Sequence, residues 1–222
     1  MKSEPCVLSV SEHAGWAHVV SVGVLDKQPA VIARRRITLI DSGLPTQPFH
    51  HEASAMTDAD ANKLIARVRH SIAMRTSEAL QRVVADLAPD RTVVAVAIRK
   101  PPFDDLPETY APVRESYRLF CAADGMMYQL AICDAARRLA LDVLIYPRGE
   151  EAARAAKQLG VTPRDVETFV TRTRPPGPPW TEEHRRAYAA GIAVLAAHVP
   201  LLKLQNGRIA ELPKVKNRSE AR

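Results

Sequence analysis

Residues 6–25 read CVLSVSEHAGWAHVVSVGVL, and this stretch decides the fold. It contains two apolar runs, at residues 6–12 and 16–25, separated only by His13-Ala14-Gly15. A short connection that contains glycine between two such runs is typical of an antiparallel hairpin. The stretch therefore predicts two paired strands at the start of the chain.

A third apolar run, AVIARRRITLI, follows at residues 30–40 and is rich in β-branched residues. It carries three consecutive arginines, which an extended strand places with Arg34 and Arg36 on one face and Arg35 on the other. Arginines on an outer strand discourage edge-to-edge pairing with another sheet. We therefore expect a third strand on the outside of the same sheet.

The rest of the chain alternates helical and strand-like patterns. Thr57 is placed to cap a long helix that ends near Leu87. The continuously apolar run at residues 92–98, TVVAVAI, is typical of a strand buried on both faces of a parallel arrangement. Further predictions are helices at 126–140, 149–159, 162–171 and 182–198, a strand at 141–146, and a proline-containing irregular loop at 101–124.

Composition predicts one soluble, cytoplasmic domain with a basic end. Of 222 residues, 46% are hydrophobic, enough for one substantial core, and the sequence shows neither a leader pattern nor a run that could span a bilayer. The three cysteines form no CxxC pair, so neither a disulfide framework nor a zinc site is indicated. Of the net charge of +6, four units lie from Lys203 onward. We therefore expect a single domain at 1–202 and a basic tail at 203–222.

Three motifs carry a resemblance to a known family. Residues 160–166 read GVTPRDV, residues 182–198 read EEHRRAYAAGIAVLAAH, and residues 9–20 read SVSEHAGWAHVV. They resemble a G-x-x-K-x-x-V segment, an acid-opened last helix, and the first strand-turn-strand of the RuvC-type Holliday-junction resolvases, in the ribonuclease H-like superfamily. With the element order βββαβαβα, the resemblance implies an α/β, ribonuclease H-like three-layer domain with a mixed five-stranded sheet. It also implies nucleic acid as a partner and a homodimer.

Acids from the first strand and the last helix hold the metal in that family. Such carboxylates bind Mg²⁺ or Mn²⁺, which activates water and stabilises the leaving phosphate oxygen. The resemblance places Glu12 and Glu183 at two of these positions, as metal ligands and catalytic residues of a divalent-metal-dependent phosphodiesterase. The alternative is structural, with Glu12 an ordinary turn residue and Glu182 and Glu183 complementing the helix dipole.

The chain also departs from the family pattern. Arg99 and Lys100 stand at the end of the fourth strand, where nothing acidic is found, and Arg186 replaces the second acid of the last helix. Cations at these positions indicate a metal pocket that has been lost or rebuilt. A second hypothesis is therefore a catalytically degenerate member that acts as a binding or assembly module, since a fold does not fix a function.

A third hypothesis concerns PFHHEA, which places His50, His51 and Glu52 just before the long helix. Adjacent histidines can ligate a metal or shuttle protons, and a nearby glutamate can orient one of them. A metal or small-ligand site follows, which Glu12 and His13 join if the first hairpin turn lies nearby. The spacing matches no established zinc pattern, and a solvated loop is the alternative.

Basic and aromatic residues suggest contacts with nucleic acid. Guanidinium groups can hold phosphates while aromatic rings stack on bases. The candidates are Arg99, Lys100 and Phe103 after the fourth strand, Arg172, Arg174 and Trp180 before the last helix, and Lys214 and Lys216 in the tail. Glycine-rich phosphate loops, serine-nucleophile elbows and dinucleotide fingerprints are missing from the sequence, which argues against ordinary nucleotide-dependent enzymes.

Overall fold

The structure of the chain is a computed structural model that describes residues 3–175, 177, 179–199, 202 and 204. Its strands are β1 (Glu4–His13), β2 (Trp16–Leu25), β3 (Gln28–Thr38), β4 (Arg91–Arg99) and β5 (Asp142–Tyr146). Its helices are α1 (Asp58–Leu87), α2 (Tyr110–Glu115), α3 (Tyr117–Arg138), α4 (Glu151–Leu159), α5 (Pro163–Arg172) and α6 (Glu182–His198), with a 3-10 turn at Ala53–Ala55.

The five strands form one mixed sheet in the order β3-β2-β1-β4-β5. The first three strands pair antiparallel, with His13 opposite Trp16 at the hairpin turn. β1 pairs in parallel with β4, and β4 pairs in parallel with β5. The sheet has the topology of the ribonuclease H-like fold, so the predicted fold class is confirmed. The arginine-bearing β3 lies at one edge, as expected.

Helices cover both faces of the sheet because successive strand residues point to opposite sides. Leu8 packs into a cluster with α1 and α3, whereas its neighbour Val7 packs into a second cluster with α4, α5 and α6. α6 approaches the sheet closely at Gly191, where an added Cβ would lie 2.5 Å from Val22 Cγ2. The amino end of α6 lies beside the carboxyl end of β1, where Glu183 faces His13.

The long helix α1 begins where its sequence predicts. Thr57 caps it, because the Asp60 N–H donates to Thr57 Oγ1 at 3.3 Å. Its buried residues recur at helical spacing and include Ile65, Val68 and Ile72. The helix therefore forms one wall of the first core.

The predicted irregular loop at 101–124 is wrong in its extent. α2 and α3 occupy most of it, so the irregular structure is residues 100–109 and the single residue Ser116 between the two helices. Pro112 lies in the first turn of α2, where the missing proline N–H has no helical partner to lose. Ser116 then caps α3 by accepting from the Leu119 N–H at 3.4 Å. The prolines of this segment therefore mark a helix start as well as a loop.

The predicted tail at 203–222 falls almost wholly outside the described residues, as do Lys214 and Lys216. Within the part of the chain that the structure describes, no helix has the length and apolarity needed to cross a membrane.

Candidate functional site

A cavity of about 270 Å³ lies between the end of β1, the end of β4 and the start of α6. Its charged lining comes from separate elements and combines two kinds of side chain. These are the glutamates Glu12, Glu151, Glu182 and Glu183 and the arginines Arg99, Arg148 and Arg186. The structure therefore brings the two predicted acids, Glu12 and Glu183, to one cavity.

Glu12 is held almost completely out of solvent, with its side chain 4% exposed. Its Oε1 accepts a hydrogen bond from Arg99 Nη2 at 2.5 Å and another from Gln129 Nε2 at 2.9 Å. Arg99 ends β4, which pairs in parallel with β1, and Gln129 comes from α3. The Glu12 carboxylate is thus neutralised by a guanidinium from the neighbouring strand.

The acids of α6 are also engaged. Glu183 Oε2 lies 3.1 Å from His13 Nε2 at the hairpin turn, and the Glu183 side chain is 50% exposed. Glu182 pairs with Arg186 one turn later at 2.5 Å. Arg186 is the residue that replaces an acid of the family pattern, and it binds an acid of its own helix.

Glu151 is a cavity residue that the sequence reasoning missed. It is the first residue of α4 and is only 6% exposed, although it lines the cavity. The signal was present as the Glu150-Glu151 pair that follows Gly149, immediately after a predicted strand. Since Glu151 comes from an element apart from β1 and α6, it adds a third source of carboxylate to the site.

The carboxylates that line the cavity are the ligand type that a hard cation prefers, but they are not placed to bind one together. Mg²⁺ and Mn²⁺ prefer carboxylate oxygens, which Glu12, Glu151 and Glu183 would supply. Within the described residues, however, no group of three or more His, Cys, Asp or Glu side chains is placed to hold a metal ion. The contacts explain this, because Glu12 is bound by Arg99 and Gln129 and Glu183 faces His13. In this arrangement the carboxylates are engaged by Arg99, Gln129 and His13 and do not converge on one metal position.

The sequence predicted that a nearby glutamate orients a histidine of the PFHHEA segment, but in the structure Asp124 takes this role. His50 Nδ1 lies 2.7 Å from Asp124 Oδ2, and the backbone N–H groups of Phe49 and His50 also donate to that carboxylate. Burial raises the pKa of Asp124, against the lowering effect of these hydrogen bonds. His51 and Glu52 are exposed. Asp124, which the sequence reasoning did not single out, therefore orients His50 through the packing of α3.

The predicted nucleic-acid contacts are dispersed. Arg99 lines the cavity, and the Lys100 N–H, just after β4, donates to the Tyr146 carbonyl at 2.7 Å. Arg172 ends α5, and Arg174 Nη1 donates to the Thr173 carbonyl at 3.1 Å. Only Arg99 of these four is among the residues that line the cavity.

A row of aromatic rings, unnoticed in the sequence, extends from the cavity across the hairpin. His13 stacks on Trp16 with ring centroids 3.9 Å apart, and Trp16 meets His18 edge-on at 4.8 Å. His18 then contacts His184 of α6 at 4.1 Å. We call His13, Trp16, His18 and His184 the aromatic row. The available signal was the hairpin register, which pairs His13 with Trp16 and places Trp16 and His18 on one face.

Two histidines of the aromatic row, His18 and His184, have pKa values below the ordinary value for histidine. Burial, followed by the nearby His18 and Arg34, lowers the pKa of His184 to about 4, against the opposing effect of Glu183. Burial, then His13, likewise lowers the pKa of His18. His184 Nδ1 faces the Thr181 N–H at 3.3 Å, so its ring also caps α6. A neutral imidazole is the form that can accept this hydrogen bond.

No protein-family model and no curated protein matches the chain. Among solved structures, RuvC of Thermus thermophilus is similar over 87% of this chain and 95% of its own, with 13% identity and a TM-score of 0.45. T. thermophilus RuvC in complex with a Holliday junction substrate covers 89% and 98%, with 14% identity and a TM-score of 0.45. A Ppx/GppA family protein of Aquifex aeolicus covers 78% of this chain but 41% of its own, with 9% identity and a TM-score of 0.35. These scores are too low to support an inference about function.

Proposed function

We propose that this chain is a nucleic-acid-binding domain of ribonuclease H-like fold, whose cavity serves recognition and not metal-dependent cleavage. The observation that carries the proposal is the contact between Arg99 and Glu12. The acid at the end of β1 is almost fully enclosed and is neutralised by a permanent cation at the end of β4.

The energetics of that contact oppose a metal at Glu12. A divalent ion would have to displace the Arg99 guanidinium and the Gln129 amide from Glu12 Oε1. Displacement would also place a metal cation next to a second, displaced cation in a poorly solvated site. Because charges interact more strongly there than in water, the site favours the pair already present.

Arginine also supplies the means of recognition. A guanidinium group presents paired donors that match phosphate oxygens. Arg99 is 38% exposed and Arg186 is 46% exposed, so each can reach a ligand while keeping its own carboxylate partner. The cavity lining holds four glutamates and three arginines and does not by itself attract a polyanion. We assign long-range attraction to Arg172, Arg174 and the tail lysines Lys214 and Lys216.

The first experiment measures binding of labelled single-stranded and duplex DNA by fluorescence anisotropy at several salt concentrations. We expect affinity to fall as salt rises, because phosphate contacts release counterions. We also expect no cleavage with Mg²⁺ or Mn²⁺ present. Arg186→Ala should weaken binding, whereas Arg82→Ala, which removes an exposed arginine of α1, should not. Absence of binding at low salt would refute the proposal.

A second candidate, a metal-dependent phosphodiesterase, rests on a specific observation. Glu12, Glu151 and Glu183 reach one cavity from three separate elements, which is how a nuclease gathers its carboxylates. If this candidate is correct, Mn²⁺ binds measurably by calorimetry and Glu183→Gln abolishes both binding and cleavage. Glu115→Gln, which changes an exposed acid outside every candidate site, is the matched control. Loss of Mn²⁺ binding only in His50→Ala/His51→Ala would instead locate the ligands in the histidine segment.

A further inference from the structure

At the hairpin end of the sheet, half-buried aromatic rings and the exposed Arg36 lie on the same face of the sheet that α6 covers further along. β-Sheet pairing sets His13 opposite Trp16, and His18 opposite Arg36. Residues directly opposite in a sheet, and residues two apart in one strand, share a face. α6 covers the next part of this face, over Val20 and Val22. The rings therefore lie where helical cover ends.

Two flat groups lie against the Trp16 ring. The His13 ring lies parallel to it within 11°, and the Arg36 Cζ lies 4.3 Å from the Trp16 ring centroid. Trp16 is half-buried and Arg36 is exposed. One face of an aromatic ring with a histidine ring against it and a solvent-exposed guanidinium over it resembles a base-stacking site that a side chain occupies.

Packing alone does not account for Trp16. The chain's other tryptophan, Trp180, packs with Tyr188 and belongs to the apolar cluster beneath α6. Trp16 belongs to neither of the two apolar clusters found in the described part of the chain. A large aromatic side chain outside the core, with arginine beside it, is the composition of a surface that binds single strands.

We propose that Trp16 is a stacking platform for an unpaired nucleobase and that Arg36 moves off the ring to contact the adjoining phosphate. This inference rests on the proposed function and specifies its ligand as single-stranded nucleic acid. An exposed cation–π contact is weaker than base stacking on an aromatic ring, so the exchange favours the base. In a duplex both base faces are already stacked, so the platform discriminates between the two forms.

The patch is also continuous with the cavity. His13 stacks on Trp16 and faces Glu183, which lines the cavity. We infer that a strand whose base lies on Trp16 extends past His13 toward the cavity, where Arg99 and Arg186 are available to its phosphates. One bound strand can use both features.

The test compares binding of labelled oligothymidine and of a duplex by the wild type, Trp16→Ala, Trp16→Phe and Tyr117→Ala. Tyr117 is the matched control, because it is an aromatic residue 80% exposed on α3. We expect Trp16→Ala to weaken single-strand binding about tenfold and to change duplex binding by less than about twofold. Trp16→Phe keeps a stacking ring and should retain most of the affinity. Tyr117→Ala should leave both affinities unchanged.

Tryptophan fluorescence provides a readout that does not depend on removing the ring. Oligothymidine should quench the wild-type emission, and Trp16→Phe should bind without that quenching. If Trp16→Ala does not fold, the difference in quenching between the wild type and Trp16→Phe tests the inference instead. Undiminished quenching in Trp16→Phe, or an equal loss of single-strand and duplex affinity in folded Trp16→Ala, would overturn the inference alone. A wild type that binds neither nucleic acid would refute the proposed function as well.

Discussion

Glu12 is a buried carboxylate with two hydrogen-bond donors, and its surroundings decide what the cavity can bind. It has two donors, one charged and one neutral, and almost no contact with solvent. Removal of the charged donor leaves a negative charge enclosed with a single amide, whereas removal of the carboxylate leaves a guanidinium that can turn toward water. Removal of the guanidinium should therefore cost more stability than removal of the carboxylate.

This asymmetry gives a prediction about stability. Arg99→Met should lower the free energy of unfolding by about 2 kcal/mol, and Glu12→Gln by about 1 kcal/mol. The double variant should lose less than the sum, because each single change leaves the other partner uncompensated. Urea unfolding of the four proteins measures the coupling. Additive losses would show that the Arg99–Glu12 pair contributes nothing to stability. Many exposed ion pairs behave in this way.

The His50 contact gives a second prediction. Asp124 accepts from two backbone N–H groups and faces His50 Nδ1. Asp124→Asn replaces one accepting oxygen by an NH₂ group that faces a donor, so it should destabilise the protein by about 2 kcal/mol. Glu52→Gln, in the same segment but exposed, should change stability by less than about 0.5 kcal/mol. Thermal unfolding of both variants checks the difference.

Sequence reasoning at this scale found the acids but not their partners. Glu12 and Glu183 were predicted as site residues and do line one cavity. The assumption that a metal would occupy their oxygens remains a separate proposal, because Arg99, Gln129 and His13 occupy them here. The sequence shows that Arg99 carries a positive charge. It does not show that the guanidinium group points toward Glu12.

At the scale of elements, the fold depends on how closely α6 approaches β2. Gly191 faces Val22 with no room for a methyl group. Gly125 lies in the interior of α3 with nothing within 4 Å of an added Cβ. Both glycines lie in helices, but close packing requires a glycine only at position 191.

We therefore expect opposite effects from the same substitution. Gly191→Ala should destabilise the protein by about 1 to 3 kcal/mol, because α6 must move away from the sheet. Gly125→Ala should stabilise it by about 0.5 to 1 kcal/mol through the helix preference of alanine. Chemical unfolding measures both. A neutral Gly191→Ala would mean that Val22 can rotate away without cost.

Most elements were predictable because their signals are local. Alternation and continuous apolar runs predicted all five strands, and helical spacing predicted α1 within a residue of its ends. The failure at residues 110–124 has a local cause as well, because proline density was given more weight than the Ser116 cap. Helices are compatible with proline in their first turn.

At the scale of the whole molecule, stability depends on pH through groups that folding keeps uncharged. The pKa of His184 is lowered from 6.5 to about 4 in the folded protein. The unfolded chain binds more protons between these values, so stability falls as pH decreases through this window and is complete above it. The lowered pKa of His18 acts in the same direction, whereas the raised pKa of Asp124 opposes it.

The prediction is a loss of about 1 to 2 kcal/mol in the free energy of unfolding between about pH 7.5 and about pH 5. His184→Gln should reduce this dependence and preserve the helix start, because glutamine is a normal residue at that position of a capping box. Urea unfolding at several pH values measures the slope. An unchanged slope in His184→Gln would show that other groups carry the dependence.

The sequence by itself determined the strands, most of the helices and their order, because periodicity, capping residues and apolar runs are properties of neighbours in the chain. From that order the mixed sheet followed. Only the tertiary structure decided that Arg99 and Gln129 donate hydrogen bonds to Glu12, and that Asp124 orients His50. These partners are 87, 117 and 74 residues apart in the chain. Contacts over such separations depend on strand register and helix packing, which no local pattern encodes.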